Sequence, residues 1–77
     1  MQIAQLKCGE SAKILGFLPG ARTYRHQLLA MGLLPGTVFS LIRIAPLGDP
    51  VEIKVRGYTV SLRKQEAAIL QLHKIPV

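Results

Sequence analysis

The sequence is poor in the residue types that carry covalent and metal chemistry. It has one cysteine, Cys8, and two histidines, His26 and His73, which are far apart in the chain. A lone cysteine cannot form an internal disulfide, and it does not match the paired spacing of thiolate zinc sites. We therefore expect no disulfide, no metal centre and no cofactor within this chain.

Acidic residues are equally scarce, with four Asp and Glu against ten Lys and Arg and a net charge of +6. General acid–base catalysis needs positioned groups with separated pKa values. The carboxylates are instead scattered along the chain: Glu10, Asp49, Glu52 and Glu66. A phosphate-binding loop is missing too, since Gly48-Asp49-Pro50 lacks the lysine and helix that must follow it. The sequence predicts a protein that is not an enzyme.

Long apolar runs are also absent. The segment from Val38 to Ile44 is interrupted by Ser40 and Arg43, whereas a membrane-spanning helix needs about 20 apolar residues. Residues 1–7 lack the basic start and apolar stretch of a secretory signal, and a chain of this length cannot build two cores. We expect a single domain, residues 1–77, that stays in the cytoplasm and reaches a membrane only through a partner.

What the chain does contain is apolar residues, 49% of the total, arranged as short strands. The clearest pattern is Val51, Ile53 and Val55 alternating with polar residues, which is typical of a half-buried antiparallel strand. In another segment Val38, Ile42 and Ile44 share one face while Phe39 and Leu41 lie on the other, which predicts a central strand. Five strands are predicted in all: residues 12–17, 37–45, 51–56, 58–63 and 69–75.

One segment shows helical spacing. Tyr24, Leu28 and Met31 fall on one side of a helix over residues 22–31, with Thr23 as the expected N-cap and Gly32 as the expected left-handed terminator. A further helical turn is predicted at residues 64–68. Together these elements predict a mainly β fold, a small SH3-like, partly open barrel of about five strands with one α-helix in the N-terminal half.

Two motifs and several single residues resemble the FeoA family, the small ferrous iron transport proteins A of bacteria. The resemblance covers nearly the whole chain, and the pairing of the two motifs at this spacing is specific. The matching residues are Leu28, Leu29, Met31-Gly32-Leu33-Leu34-Pro35-Gly36, Ala45-Pro46-Leu47-Gly48-Asp49-Pro50, Gly57, Leu62-Arg63-Lys64 and Glu66-Ala67. The family has an SH3-like fold, and related domains occur in iron- and manganese-dependent repressors.

The resemblance implies an accessory protein of the ferrous iron permease FeoB, a membrane protein with a cytoplasmic GTP-binding domain. On this basis the two proline-glycine turns are the expected docking surface, with partner-binding residues Leu33, Leu34, Leu47 and Asp49. Each has a structural alternative: the turns reverse the chain, Leu47 folds back on the core, and Asp49 accepts hydrogen bonds from its own loop.

Other functions stay open at this point. A small barrel with a basic cluster at Lys54, Arg56, Arg63 and Lys64 is also typical of nucleic-acid binding, although four aromatic residues offer few stacking platforms and no nucleic-acid partner is expected. A third alternative is a metal-dependent, repressor-type regulatory domain that acts through another chain. Self-association is left open, as is whether the chain stimulates GTP hydrolysis by the permease, stabilises it or gates it.

Overall fold

The computed structural model describes residues 1–76, in which five strands form one antiparallel sheet with the spatial order β4-β3-β2-β1-β5. The strands are β1 Ser11–Phe17, β2 Val38–Ile44, β3 Val51–Val55, β4 Tyr58–Leu62 and β5 Leu70–Ile75. The helices are α1 Arg22–Ala30, α2 Lys64–Ala68 and a 3-10 turn, Ile3–Gln5. The predicted mainly β fold with one principal helix is confirmed.

The central position of β2 is confirmed, but the predicted faces are only partly right. Pairing with β3 shifts register between Leu41 and Arg43, so Ile42 is the extra residue of a β-bulge. Beyond the bulge the alternation is inverted, and Ile44 lies opposite the buried Val51 and packs against the core. The prediction that Ile44 shares a face with the exposed Ile42 was therefore wrong.

The inner face of the sheet forms one hydrophobic core. Leu70 and Leu72 of β5 point inward as predicted, with exposed fractions of 0% and 2%. Full burial of each such side chain stabilises the fold by about 1.5–3 kcal/mol. The largest wholly buried side chains are Phe39, Ile14, Leu28, Leu33, Leu41, Ile53, Leu62, Leu70, Leu72 and Val55. Ile3 and Leu6, from the amino-terminal segment, are also part of this core.

The N-cap of helix α1 differs from the prediction, whereas the residue that ends the helix agrees with it. Arg25 N–H donates to the carbonyl of Ala21 at 2.9 Å, so Ala21 is the N-cap and the prediction of Thr23 was wrong. At the other end Gly32 adopts φ +84°. The N–H groups of Leu33 and Gly32 donate to carbonyls of the last helical turn, both at 3.0 Å. This is a Schellman motif, which needs a left-handed residue at the position of Gly32.

The two outer strands of the sheet differ in what lies beside them. Along β5, Leu72 exchanges two backbone hydrogen bonds of 2.9 Å with Met1, so the amino terminus covers part of that edge. Along β4, no backbone partner lies on the outer side among residues 1–76. No helix in this part of the chain is long and apolar enough to cross a bilayer.

Candidate docking site

The β2–β3 hairpin loop, residues 45–50, is a rigid turn with an apolar tip. Gly48 N–H donates to the Ala45 carbonyl at 2.7 Å, and Ala45 N–H donates to the Pro50 carbonyl at 3.0 Å. Pro46 presets its own φ at the second position of this turn. Leu47 follows it and is 89% exposed. The loop therefore presents Leu47 to solvent instead of folding it back on the core.

Asp49 anchors the same loop to helix α2. Its Oδ1 accepts a hydrogen bond from the backbone N–H of Lys64 at 3.2 Å. A Cβ added at Gly48 would lie 3.7 Å from the side chain of Lys64, so the loop also packs along that side chain. Asp49 thus holds the loop against α2. This contact is neither a hydrogen bond within the loop nor a contact with a partner, the two roles considered from the sequence.

An apolar pocket of about 160 Å³ lies next to the loop. One wall is Gly48 of the loop, and the ammonium-bearing Lys64 is the one charged residue in the lining. The remaining lining residues come from the amino terminus, β2, β3 and α2: Gln2, Ile3, Ala4, Ile44, Val51 and Ala68. We call Leu47 and this pocket together the Leu47 surface. It offers a partner one projecting apolar side chain and a recess suited to receive another.

The turn that follows α1, residues 33–36, is built as a chain reversal. Leu34 N–H donates to Thr37 Oγ1 at 3.2 Å, and Thr37 N–H returns a bond to the Leu34 carbonyl at 3.0 Å. Gly36, at φ +92°, donates to the Ile14 carbonyl at 2.7 Å. Leu34 is 45% exposed, but Leu33 is wholly buried in the core. Leu33 is therefore not accessible to a partner.

The two proline-glycine turns do not form one surface. Residues 33–36 precede β2 and residues 45–50 follow it. A seven-residue strand is about 20 Å long, so the two turns lie beyond opposite ends of β2. The expectation of a shared docking surface is corrected in this respect, because turns that are close in sequence were separated by a full strand.

The carboxylates are all engaged in structural contacts. Glu52 forms an ion pair with Arg43 at 3.3 Å, and the buried Glu66 accepts from the Arg63 N–H at 2.8 Å. Glu10 pairs with Lys74 and accepts from the Lys7 N–H at 2.7 Å. The hydrogen bond from Lys74 and the one from the Lys7 N–H hold the pKa of Glu10 below its ordinary value.

Within residues 1–76 no three His, Cys, Asp or Glu side chains come together as metal ligands.

Sequence reasoning missed the contribution of the amino terminus to the pocket. The sequence predicts no helix or strand for residues 1–7, yet Ile3–Gln5 forms a 3-10 turn. Ile3 and Ala4 line the pocket, and Ile3 and Leu6 are part of the core. A signal was present, since Ile3 and Leu6 are two apolar residues three positions apart in an otherwise polar start. That spacing matches one turn of a 3-10 helix.

The fold has close relatives among solved structures. The FeoA-like protein of Clostridium acetobutylicum, determined by NMR, superposes with a TM-score of 0.87 at 28% identity, covering 100% of this chain and 88% of that one. A manganese-dependent transcriptional repressor superposes with a TM-score of 0.86 over 96% of this chain and 40% of its own, but at 9% identity the likeness is one of fold alone.

Sequence relatives carry the assignment further. A fusion protein of Porphyromonas gingivalis, Fe(2+) transport protein A joined to Fe(2+) transporter FeoB, is 33% identical over 75 residues. The match covers 97% of this chain but only 9% of the fusion. The family model of the FeoA domain matches residues 1–72. The chain therefore belongs to the FeoA family, whose members are associated with ferrous iron transport.

Proposed function

We propose that this chain is a cytoplasmic accessory protein of bacterial ferrous iron uptake that binds a FeoB-like permease and modulates it. The observation that carries the proposal is the Porphyromonas gingivalis fusion, in which the two modules share one polypeptide. Fusion holds two modules at high effective concentration without any evolved affinity. Two modules that are not fused need a binding surface to reach the same arrangement, and recruitment to the inner face of the membrane then follows from binding.

The Leu47 surface is our candidate for that contact. A standard protein interface covers about 800 Å² on each partner, and the whole accessible surface is 4808 Å² in a body of 30 × 27 × 22 Å. Such an interface occupies roughly one end of the molecule. The end with Leu47 supports the proposal better than the end with Leu34, because it combines the most exposed large apolar residue with an apolar pocket.

The proposal assigns the chain a binding role without catalysis. Its four carboxylates are engaged in contacts that hold loops, helices and strands in place. A group committed in this way is poorly placed to exchange protons with a substrate. Any change in transport or GTP hydrolysis would then come from a conformational effect of binding on the permease.

Co-purification tests the proposed partnership. The tagged chain, expressed at native level beside a FeoB-like permease, is isolated from detergent-solubilised membranes. We expect the permease to elute with it, and to be absent when the tagged chain carries Leu47→Asp. If the permease fails to co-elute even after chemical cross-linking in intact cells, the proposed partnership is wrong.

A further inference from the structure

The outer edge of β4 carries backbone groups that no part of residues 1–76 satisfies. β4 is an edge strand, and its only backbone partner is β3. The two strands are joined by a two-residue turn, Arg56-Gly57, with φ values of +49° and +85°. Positive φ at both positions defines a type I′ hairpin, which sets the register of every pair along the ladder.

That register shows which residues point outward. In a two-residue hairpin the flanking pair, Val55 and Tyr58, exchanges hydrogen bonds, and bonded pairs then alternate along the ladder. The N–H and C=O groups of Thr59 and Ser61 therefore point away from β3. Both residues are exposed, so these four backbone groups form a template on which another strand can add.

Basic residues outnumber acidic ones around this edge. Arg56 lies at one end of β4, Arg63 and Lys64 at the other, and Lys54 is paired with Thr59 across the hairpin. Three acidic side chains lie nearby, and each already has a partner. Glu52, opposite Ser61 in the hairpin, forms an ion pair with Arg43. Asp49 accepts from the Lys64 N–H and Glu66 from the Arg63 N–H. The edge therefore favours a negatively charged strand.

Charge also argues against a second copy of this chain as the occupant. Antiparallel pairing of two β4 edges through Thr59 and Ser61 is centred on Val60 and brings the Arg56 end of each strand towards the Arg63 end of the other. The charges at these ends have the same sign and repel each other, and the contact would occur twice by symmetry. The basic edge is instead complementary to an acidic partner.

We propose that β4 binds an extended acidic peptide segment of a partner protein by strand addition, through the backbone of Thr59 and Ser61 and the side chains of Arg56 and Arg63. The proposal goes beyond docking on a permease, since it names a second surface and the chemistry of its ligand. Its test uses isolated peptides, so it succeeds or fails independently of the permease contact.

The experiment is an NMR titration of the isotope-labelled chain with three capped heptapeptides. The first is Glu-Thr-Val-Thr-Val-Thr-Glu, the second has lysine at both ends, and the third is the acidic peptide with its central amides N-methylated. We expect the acidic peptide to shift the β4 signals and to slow hydrogen exchange at the amides of Thr59 and Ser61. The other two should bind at least roughly tenfold more weakly. The N-methylated peptide loses the N–H groups that donate to the β4 edge, and the lysine peptide places positive charge beside Arg56 and Arg63.

Matched variants separate backbone pairing from charge. Ser61→Pro removes one outward N–H, which an edge strand tolerates because that group is not in the ladder, whereas Ser61→Ala keeps it. We expect weakened peptide binding for Ser61→Pro, unchanged binding for Ser61→Ala and weakened binding for Arg63→Glu. Three results would overturn the proposal. The three peptides could bind equally, the shifts could be confined to another surface, or a short DNA oligonucleotide could bind more strongly at the same residues. Should Ser61→Pro not fold, the N-methylated peptide carries the same comparison.

Discussion

At the scale of single residues, the β3–β4 turn depends on a backbone conformation that few side chains adopt. Gly57 has φ +85° and open space where a Cβ would stand, so any cost of Gly57→Ala comes from backbone strain alone. We expect that substitution to lower the free energy of unfolding by roughly 1–2 kcal/mol. Gly16→Ala is the control: Gly16 has no positive φ and its Cβ would make an ordinary 3.5 Å contact. Denaturant unfolding that gives equal losses for both would contradict the assigned turn.

Glu10 is the residue from which we expect a pH effect. Its hydrogen bonds lower its pKa in the folded chain from the ordinary 4.5, so below that pH the unfolded state binds more protons and stability falls. The stabilisation is present above about pH 4.5 and is lost as the pH drops through the lower, folded value. Thermal unfolding followed from neutral to acidic pH should show a steeper loss for the native chain than for Glu10→Gln. Parallel curves would mean that the Lys74 and Lys7 contacts leave no trace in stability.

At the scale of elements, the bulge in β2 makes a prediction that simple alternation does not. Ile44 packs on the core beyond the bulge, whereas Ile42 is 38% exposed. We expect Ile44→Ala to cost about 2 kcal/mol, near the lower end of the range for buried isoleucine because Ile44 is only partly buried. Ile42→Ala should cost less than about 1 kcal/mol, since much of its side chain already contacts water. Chemical denaturation of the two variants measures the difference, and the reverse order would contradict the bulge.

The elements recovered from the sequence are those whose pattern follows from local chemistry. Alternation located β3, and the Gly32 terminator located the end of α1, because both depend on neighbouring residues. The predicted start of α1 at Arg22 was right, but the N-cap was assigned to Thr23 instead of Ala21 because capping preference is a weak bias. The bulge at Ile42 was missed because strand alternation assumes an unbroken ladder.

The candidate site was predicted only in part, because some of its features depend on local sequence and others on long-range packing. The exposure of Leu47 follows from a local turn, and the proline and glycine of that turn are visible in the sequence. The pocket beside it joins residues from the amino terminus, β2, β3 and α2. The Ile3–Leu6 spacing indicates a turn at the amino terminus, but no local pattern shows that these elements pack together. The burial of Leu33 depends equally on where α1 settles against the sheet.

At the scale of the whole molecule, the two exposed proline-glycine turns lie on different parts of one small fold. The hairpin loop, the amino-terminal turn and α2 contribute to the Leu47 surface, while Leu34 lies beyond the opposite end of β2, a strand about 20 Å long. The two leucines are similar side chains on proline-glycine turns, and neither is part of the buried core. They are therefore a matched pair for testing which end binds.

The most direct test of the central claim is the affinity of a purified FeoB-like permease for the Leu47→Asp and Leu34→Asp variants, measured by titration calorimetry beside the unchanged chain. An aspartate at the centre of an apolar contact should weaken binding by at least about 2 kcal/mol, roughly thirtyfold. We predict that loss for Leu47→Asp and an affinity within about twofold of the unchanged chain for Leu34→Asp, with both variants folded by circular dichroism. Undiminished binding by Leu47→Asp would contradict the account.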